Sequence, residues 1–206
     1  MHITRQHSSL KLPIPRKGTK YIARAFSHKN DGLPVLIAVR DMLHLAKTAR
    51  EVKAMVQQKV LKINGNPIKD YHETIRLFNI FEADKPYQLT LLRTGRFSLI
   101  PAKDKESRWC KIINKRLMSP GIFQLNFHDG TNLITKENFP VGDTIVLDLK
   151  GKIKKHIAFE KGKKIFVYKG KYQGLEGEVS TLEGNSLVLA WDDKKTSLDK
   201  RQAMVL

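Results

Sequence analysis

The chain has 206 residues, 38 of them Lys or Arg against 20 Asp or Glu, giving a formal charge of +18 and an isoelectric point near 10.0. At about 150 residues per domain this length allows one large domain or two to three small ones, and a hydrophobic fraction of 41% favours folded modules over a wholly disordered chain. The single cysteine, Cys110, excludes an internal disulfide framework and a multi-cysteine metal centre, while the longest apolar stretch, Leu33 to Val39, falls far short of the roughly 18 residues that span a bilayer.

The natural partner of so basic a chain is a polyanion, because neutralising phosphates releases their counterions. No membrane, cofactor or small-molecule substrate is expected. The bases outnumber the acids in every segment: 7 to 1 over residues 1–32, 10 to 6 over 33–94, 12 to 7 over 95–160 and 9 to 6 over 161–206. That spread suits modules lying along an extended phosphate surface more than a grip on one small anion.

Residues 1–32 lack hydrophobic periodicity and are punctuated by Pro13, Pro15 and Gly18. They read as a basic arm, with Arg5, His7, Lys11, Arg16 and Lys17 as candidate RNA contacts and Tyr21, Ile22 and Phe26 as anchors. The arm is expected to order against something anionic.

In residues 33–94, Pro34 is followed by Leu36, Val39 and Leu43 at helical spacing. Thr48 and Glu51 form a capping box for a second helix with Val52, Met55 and Val56 on its buried stripe, ending near Lys59. Val60 to Ile63 then reads as a strand entering an Asn64-Gly65 hairpin turn. Arg40, Arg50, Lys53, Lys59, Lys62 and Lys69 lie off the apolar stripe or near the turn. Singly, each is more often an ordinary solvated base; as a group in this chain, they are better read as RNA contacts.

The strings Val39-Arg40-Asp41-Met42-Leu43, Ala46 to Val52 and Val60 to Gly65 resemble the S-four RNA-binding domain. The resemblance implies paired helices with a basic face toward structured RNA. Lys59 stands where that pattern has a glycine closing the second helix, and a side chain in the left-handed conformation there costs about 1 kcal/mol.

Residues 95–160 alternate short β-type runs with turn residues: 97–100, 109–113, 123–127, 132–135, 144–149 and 152–159. Asp129-Gly130 reads as a hairpin turn with His128 beside it. The seven histidines are scattered and no nucleophile or metal spacing accompanies them, so no catalytic or metal site is expected. Lys111, Lys115, Arg116, Lys150, Lys152, Lys154 and Lys155 are the basic candidates, Lys111, Lys152 and Lys154 foremost, with solvated strand edge as the plainer reading.

The run Gln124-Leu125-Asn126-Phe127-His128-Asp129-Gly130, with Trp109 to Ile112, Val141 to Thr144 and His156-Ile157, resembles the central domain of the archaeal and eukaryotic small-subunit ribosomal protein family S-four-e. In residues 161–206, three glycine-punctuated strands have the profile of a small SH3-like barrel. Gly170 to Val179 resembles the KOW motif, and Lys171 there is a further candidate contact. Trp191 reads as core and Asp192-Asp193 as an acidic turn.

The resemblance implies an α+β multidomain chain: basic arm 1–32, S-four domain 33–94, β-rich central domain 95–160 and SH3-like KOW barrel 161–206. It also implies a non-catalytic constituent of the cytoplasmic small ribosomal subunit that clamps small-subunit rRNA among neighbouring ribosomal proteins and supports subunit assembly and translation. A pseudouridine synthase is disfavoured because Gly95-Arg96-Phe97-Ser98 lacks the Asp that such enzymes place after Gly-Arg-Leu. A transient translation or elongation factor with S-four and KOW modules stays open at this stage.

Overall fold

A computed structural model describes residues 1–206 apart from Lys103, Asn185, Asp192 and Asp193, so the acidic turn expected at Asp192-Asp193 lies outside the described residues. The fold is mostly β-sheet with few helices and divides into two compact units, Met1–Lys105 and Glu106–Leu206.

The first unit contains, in chain order, β1 (His2–Thr4), β2 (Tyr21–Ala23), β3 (Gly32–Pro34), α1 (Val35–Ile37), α2 (Ala49–Gln57), β4 (Lys62–Ile63), β5 (Asn66–Pro67), β6 (Thr74–Arg76), β7 (Ile80–Glu82), β8 (Pro86–Leu91) and β9 (Phe97–Pro101). Antiparallel pairs β1-β2 and β3-β6 accompany a five-stranded sheet of order β5-β4-β7-β8-β9. Residues 97–101, grouped by their sequence with the segment that follows, are thus the last strand of this sheet. The arm packs within the unit: Leu12, Ile22, Ala23 and Ala25 are buried, and the Phe97 N–H donates to the Lys11 carbonyl at 2.8 Å. Of the expected anchors, Ile22 is buried, whereas Tyr21 and Phe26 are exposed.

The first expected helix is a single α turn, α1, continuing as a π turn over Ala38–Met42, with Leu36, Ile37 and Val39 all buried. In α2 the capping box forms: the Glu51 N–H donates to Thr48 Oγ1 at 3.3 Å, and the Thr48 hydroxyl donates to Glu51 Oε1 at 2.9 Å. Val52 and Val56 face the core. At the other end, Lys59 takes a left-handed φ of 56°. Its N–H donates to the Val56 carbonyl at 3.0 Å, and the Val60 N–H donates to the Met55 carbonyl at 3.3 Å. This is a Schellman cap, so the backbone geometry expected of a glycine is kept with a lysine in its place. Positive φ at Asn64 and Gly65, 51° and 79°, makes the β4-β5 connection a type I′ hairpin turn.

The second unit contains β10 (Ser107–Ser119), β11 (Ile122–Phe127), β12 (Asn132–Thr135), β13 (Thr144–Asp148), β14 (Ile153–Ile157), β15 (Lys164–Val167), β16 (Glu176–Glu183), β17 (Ser186–Trp191), β18 (Lys194–Asp199) and β19 (Ala203–Val205). They form two five-stranded antiparallel sheets of order β12-β11-β10-β13-β14 and β18-β17-β16-β15-β19. Val146, Ile157 and Phe159 pack in one core with Ile165, Val167, Val179, Leu187, Leu189 and Val205, and Trp191 packs against it. A second core gathers Cys110, Ile112, Leu125, Phe127, Phe139, Ile145 and Leu147. β18 and β19 are the edges of the C-terminal sheet, and among the described residues no pairing closes it into a barrel. Gly177 is required by a contact within the chain: a Cβ there would lie 2.5 Å from the Ala190 carbonyl oxygen.

Candidate nucleic-acid interface

In the first unit, α2 presents two faces. Val52 and Val56 are buried, while Arg50, Lys53 and Lys59 are exposed, and none of the three is ion-paired among the described residues. The helix start beneath them is held tightly. Glu51 accepts from the Lys47 N–H at 2.8 Å and from the Thr48 hydroxyl, and these hydrogen bonds hold its carboxyl below the ordinary range. Lys62 is the cross-strand partner of Glu82 and lies 4.0 Å from its carboxylate, half-exposed. Arg40 forks onto Asp41 through Nε at 2.9 Å and Nη2 at 2.8 Å, which raises its pKa and leaves only part of the guanidinium for another partner.

The arm residues divide by what they already bond. Arg5 donates from Nε to the Thr19 carbonyl at 2.8 Å, from Nη1 to the Pro15 carbonyl and from Nη2 to Thr19 Oγ1 at 3.1 Å. It is the brace of the 15–19 loop. His7 Nδ1 lies 2.6 Å from Thr4 Oγ1, and Lys11 is ion-paired to Asp31 at 2.5 Å. Arg16 and Lys17 are exposed on the loop that Arg5 braces. With Arg5, Lys20 and Arg96 they line an open cleft of about 1080 Å³. Lys20 and Arg96 escaped the sequence reading as site residues. Their only linear signal is the basicity of the arm and the Gly95-Arg96 pair, and folding alone brings them to one rim.

In the second unit the basic candidates part company. Lys152 and Lys154 are exposed beside or on β14, an edge strand of the central sheet, with Lys154 3.9 Å from Glu106. Lys171 is exposed with its ammonium 5.6 Å from the Tyr172 ring centre. Lys111, by contrast, is 3% exposed. Its ammonium donates to the carbonyls of Lys200, at 2.7 Å, and Ala203, and lies 5.3 Å over the Tyr168 ring. The expectation that Lys111 meets RNA is corrected here, because the side chain is enclosed and two of its donors are committed to the backbone of its own unit. Burial, with help from the Lys200 charge, pushes its pKa down to about 7.

The Asp129-Gly130 turn carries a buried polar cluster that local pattern does not announce. The Asp129 carboxylate is ion-paired with Arg108 and accepts from the Thr131 N–H at 2.9 Å and hydroxyl at 2.6 Å. The Cys110 thiol is 3.8 Å away, and its pKa is driven up by burial and then by the Asp129 charge. A thiol held protonated this way is no nucleophile. His128 Nδ1 accepts from the Lys111 N–H at 3.2 Å, so this histidine helps hold the turn. Among the described residues no group of His, Cys, Asp or Glu is arranged to hold a metal ion, and no helix is long and apolar enough to cross a membrane.

The surface chemistry is therefore exposed guanidinium and ammonium groups on rigid supports: the α2 face, the cleft rim and the β14 edge. Such groups neutralise and position phosphates without reading sequence.

Comparison with known proteins places this arrangement in context. The family model described as "Ribosomal family S4e" matches residues 83–153. A small ribosomal subunit protein eS4 from Methanococcus maripaludis is 31% identical over 202 residues, covering 90% of this chain and 83% of that protein. The protein of the same name from Methanocella arvoryzae is 29% identical over 189 residues, covering 88% of this chain and 81% of that one. The crystal structure of the 30S ribosomal protein S4e from Thermoplasma acidophilum shares the fold, with a TM-score of 0.75 at 20% identity, over 86% of this chain and 96% of that one.

Proposed function

This chain belongs to the ribosomal S4e family, and from that premise we propose that it is a structural constituent of the small ribosomal subunit that binds small-subunit rRNA among neighbouring ribosomal proteins. The observation that carries the reading is similarity over 90% of the chain to a small-subunit protein, joined to a surplus of bases that persists through all of its segments. The role is positional: lysines and arginines offset phosphate repulsion where RNA helices converge, while the folded units hold those charges in place.

Within that reading, the first unit supplies Arg50 and Lys53 on α2, Lys59 in the cap that follows it, and the cleft rim of Arg16, Lys17, Lys20 and Arg96. The second supplies Lys152, Lys154 and Lys171. The parts correspond to arm, S-four domain, central domain and an SH3-like KOW module built on the C-terminal five-stranded sheet, with the boundary expected at 94 falling instead after β9, where the first unit ends at Lys105. The protein works in the cytoplasmic ribosome and supports subunit assembly.

Two experiments test this. In a sucrose gradient of native lysate, one copy per small subunit that resists a high-salt wash is expected; a substoichiometric, readily stripped signal makes the protein a transient factor instead. In binding to protein-free small-subunit rRNA, Arg50→Glu with Lys53→Glu is expected to lower affinity and to reduce the salt slope by about 1 for each phosphate no longer neutralised. Unchanged affinity at low salt removes the α2 face from the interface.

A further inference from the structure

The outer face of the β10-β11-β12 sheet has an unusual composition. Asn114 is the Cα partner of Asn126 and Asn126 that of Asn132, so three asparagines stand in one row across three strands. The adjoining row is Arg116, Gln124 and Ile134, paired in the same way. Both rows face away from the core, because the alternating positions Leu125 and Leu133 face into it. Asn114, Arg116 and Asn132 are exposed, and Ile134 is 66% exposed. These six positions hold one cation and no carboxylate.

Asparagine is disfavoured in strands, so a transverse row of three opposes local propensity. Interlocking among the side chains does not account for it. The row and its neighbour show one bond between side chains, Gln124 Nε2 to Asn126 Oδ1 at 3.0 Å, and the Asn132 amide makes none among the described residues. Asn114 Oδ1 accepts from the Lys115 N–H at 2.8 Å, so its NH₂ is the part of the amide with no partner among the described residues. The result is a face three strands and about 10 Å across, lying between two irregularities in the β10-β11 register, dense in donors and acceptors and with a single positive charge at one end.

We propose that this amide face docks in the minor groove of an RNA double helix, hydrogen-bonding ribose 2′-hydroxyls and base edges, with Arg116 on the flanking backbone. The inference rests on the rRNA-binding role above. The A-form minor groove is wide and shallow and displays both hydroxyls and base edges, which matches a three-strand sheet face bearing neutral donor-acceptor groups. The basic rims described earlier bind charge; the amides of this face bind shape and hydrogen-bonding pattern, and their contribution, unlike that of Arg116, is insensitive to salt.

The test uses the full chain and protein-free small-subunit rRNA, with affinity measured across a series of KCl concentrations. The triple variant Asn114→Ala, Asn126→Ala, Asn132→Ala is expected to bind about tenfold or more weakly at every salt concentration, with the wild-type salt slope, since every phosphate-neutralising base is kept. Wild-type binding with an equally tight triple variant overturns the amide face alone, as does a loss accompanied by a flatter slope. Failure of the wild-type chain to bind overturns the rRNA-binding role itself. If the triple variant unfolds, the neutral truncation Asn132→Ala at the exposed edge strand decides: weaker binding with an unchanged salt slope supports the face, and unchanged binding rejects it.

Discussion

Lys111 should make the stability of the second unit depend on pH in a direction opposite to that of most lysines. Its pKa falls from 10.5 to about 7 in the folded chain, first through burial and next through the Lys200 charge, with Asp199 acting the other way. The unfolded chain therefore binds the extra proton between those two values, and the folded chain does not. Stability must rise as pH rises through that window, because the penalty for a buried charged amine is relieved. A shift of this size is worth about 5 kcal/mol over the whole window and about 2 kcal/mol between pH 7 and pH 9. The assay is urea unfolding at those two pH values, followed by the fluorescence of Trp109 and Trp191, both packed against the core of this unit. Lys111→Met keeps the length of the side chain and removes the titration. At about pH 9 the variant should be the less stable protein, since the carbonyls of Lys200 and Ala203 lose a donor. At pH 7 the gap should narrow by about 2 kcal/mol. An equal rise in both proteins would refute the argument, for it would assign the titration to other groups.

Three further outcomes follow from local geometry. Asp129→Asn strands the Arg108 guanidinium in the interior and should cost about 3 kcal/mol or more in the same fluorescence assay; a loss below about 1 kcal/mol would mean that water reaches the pair. Thr48→Ala removes the acceptor for the Glu51 N–H and should cost about 1 kcal/mol, read as roughly fivefold faster hydrogen exchange at the start of α2. Lys59→Gly relieves the left-handed strain at φ 56° and should slow exchange at the end of α2 by a gain of up to about 1 kcal/mol, offset in part by the greater freedom of glycine when unfolded; faster exchange would show that the lysine side chain itself holds the cap.

Features closed between near neighbours in the chain are legible in its letters. The Thr48 to Glu51 capping box and the Asn64-Gly65 turn form as read, because each is closed by bonds between residues at most four apart. The strands at 123–127, 132–135 and 186–191 likewise carry their alternation in the linear text. The sign of the charge, and with it the class of partner, also needed nothing beyond counting.

Features that depend on distant partners appear only on folding. β18 (Lys194–Asp199) buries Leu198 alone and β19 is three residues long, so neither has a pattern of its own; pairing with β17 and β15 makes them strands. Arg5 and Lys11 read as free bases, yet the fold spends one on a loop and the other on Asp31. Lys111 and Lys154 are indistinguishable as letters in β-type runs. One lies under the carbonyls of Lys200 and Ala203 and the other on a sheet edge, because access to solvent is a property of what packs over a side chain, and residues some ninety positions away supply that cover.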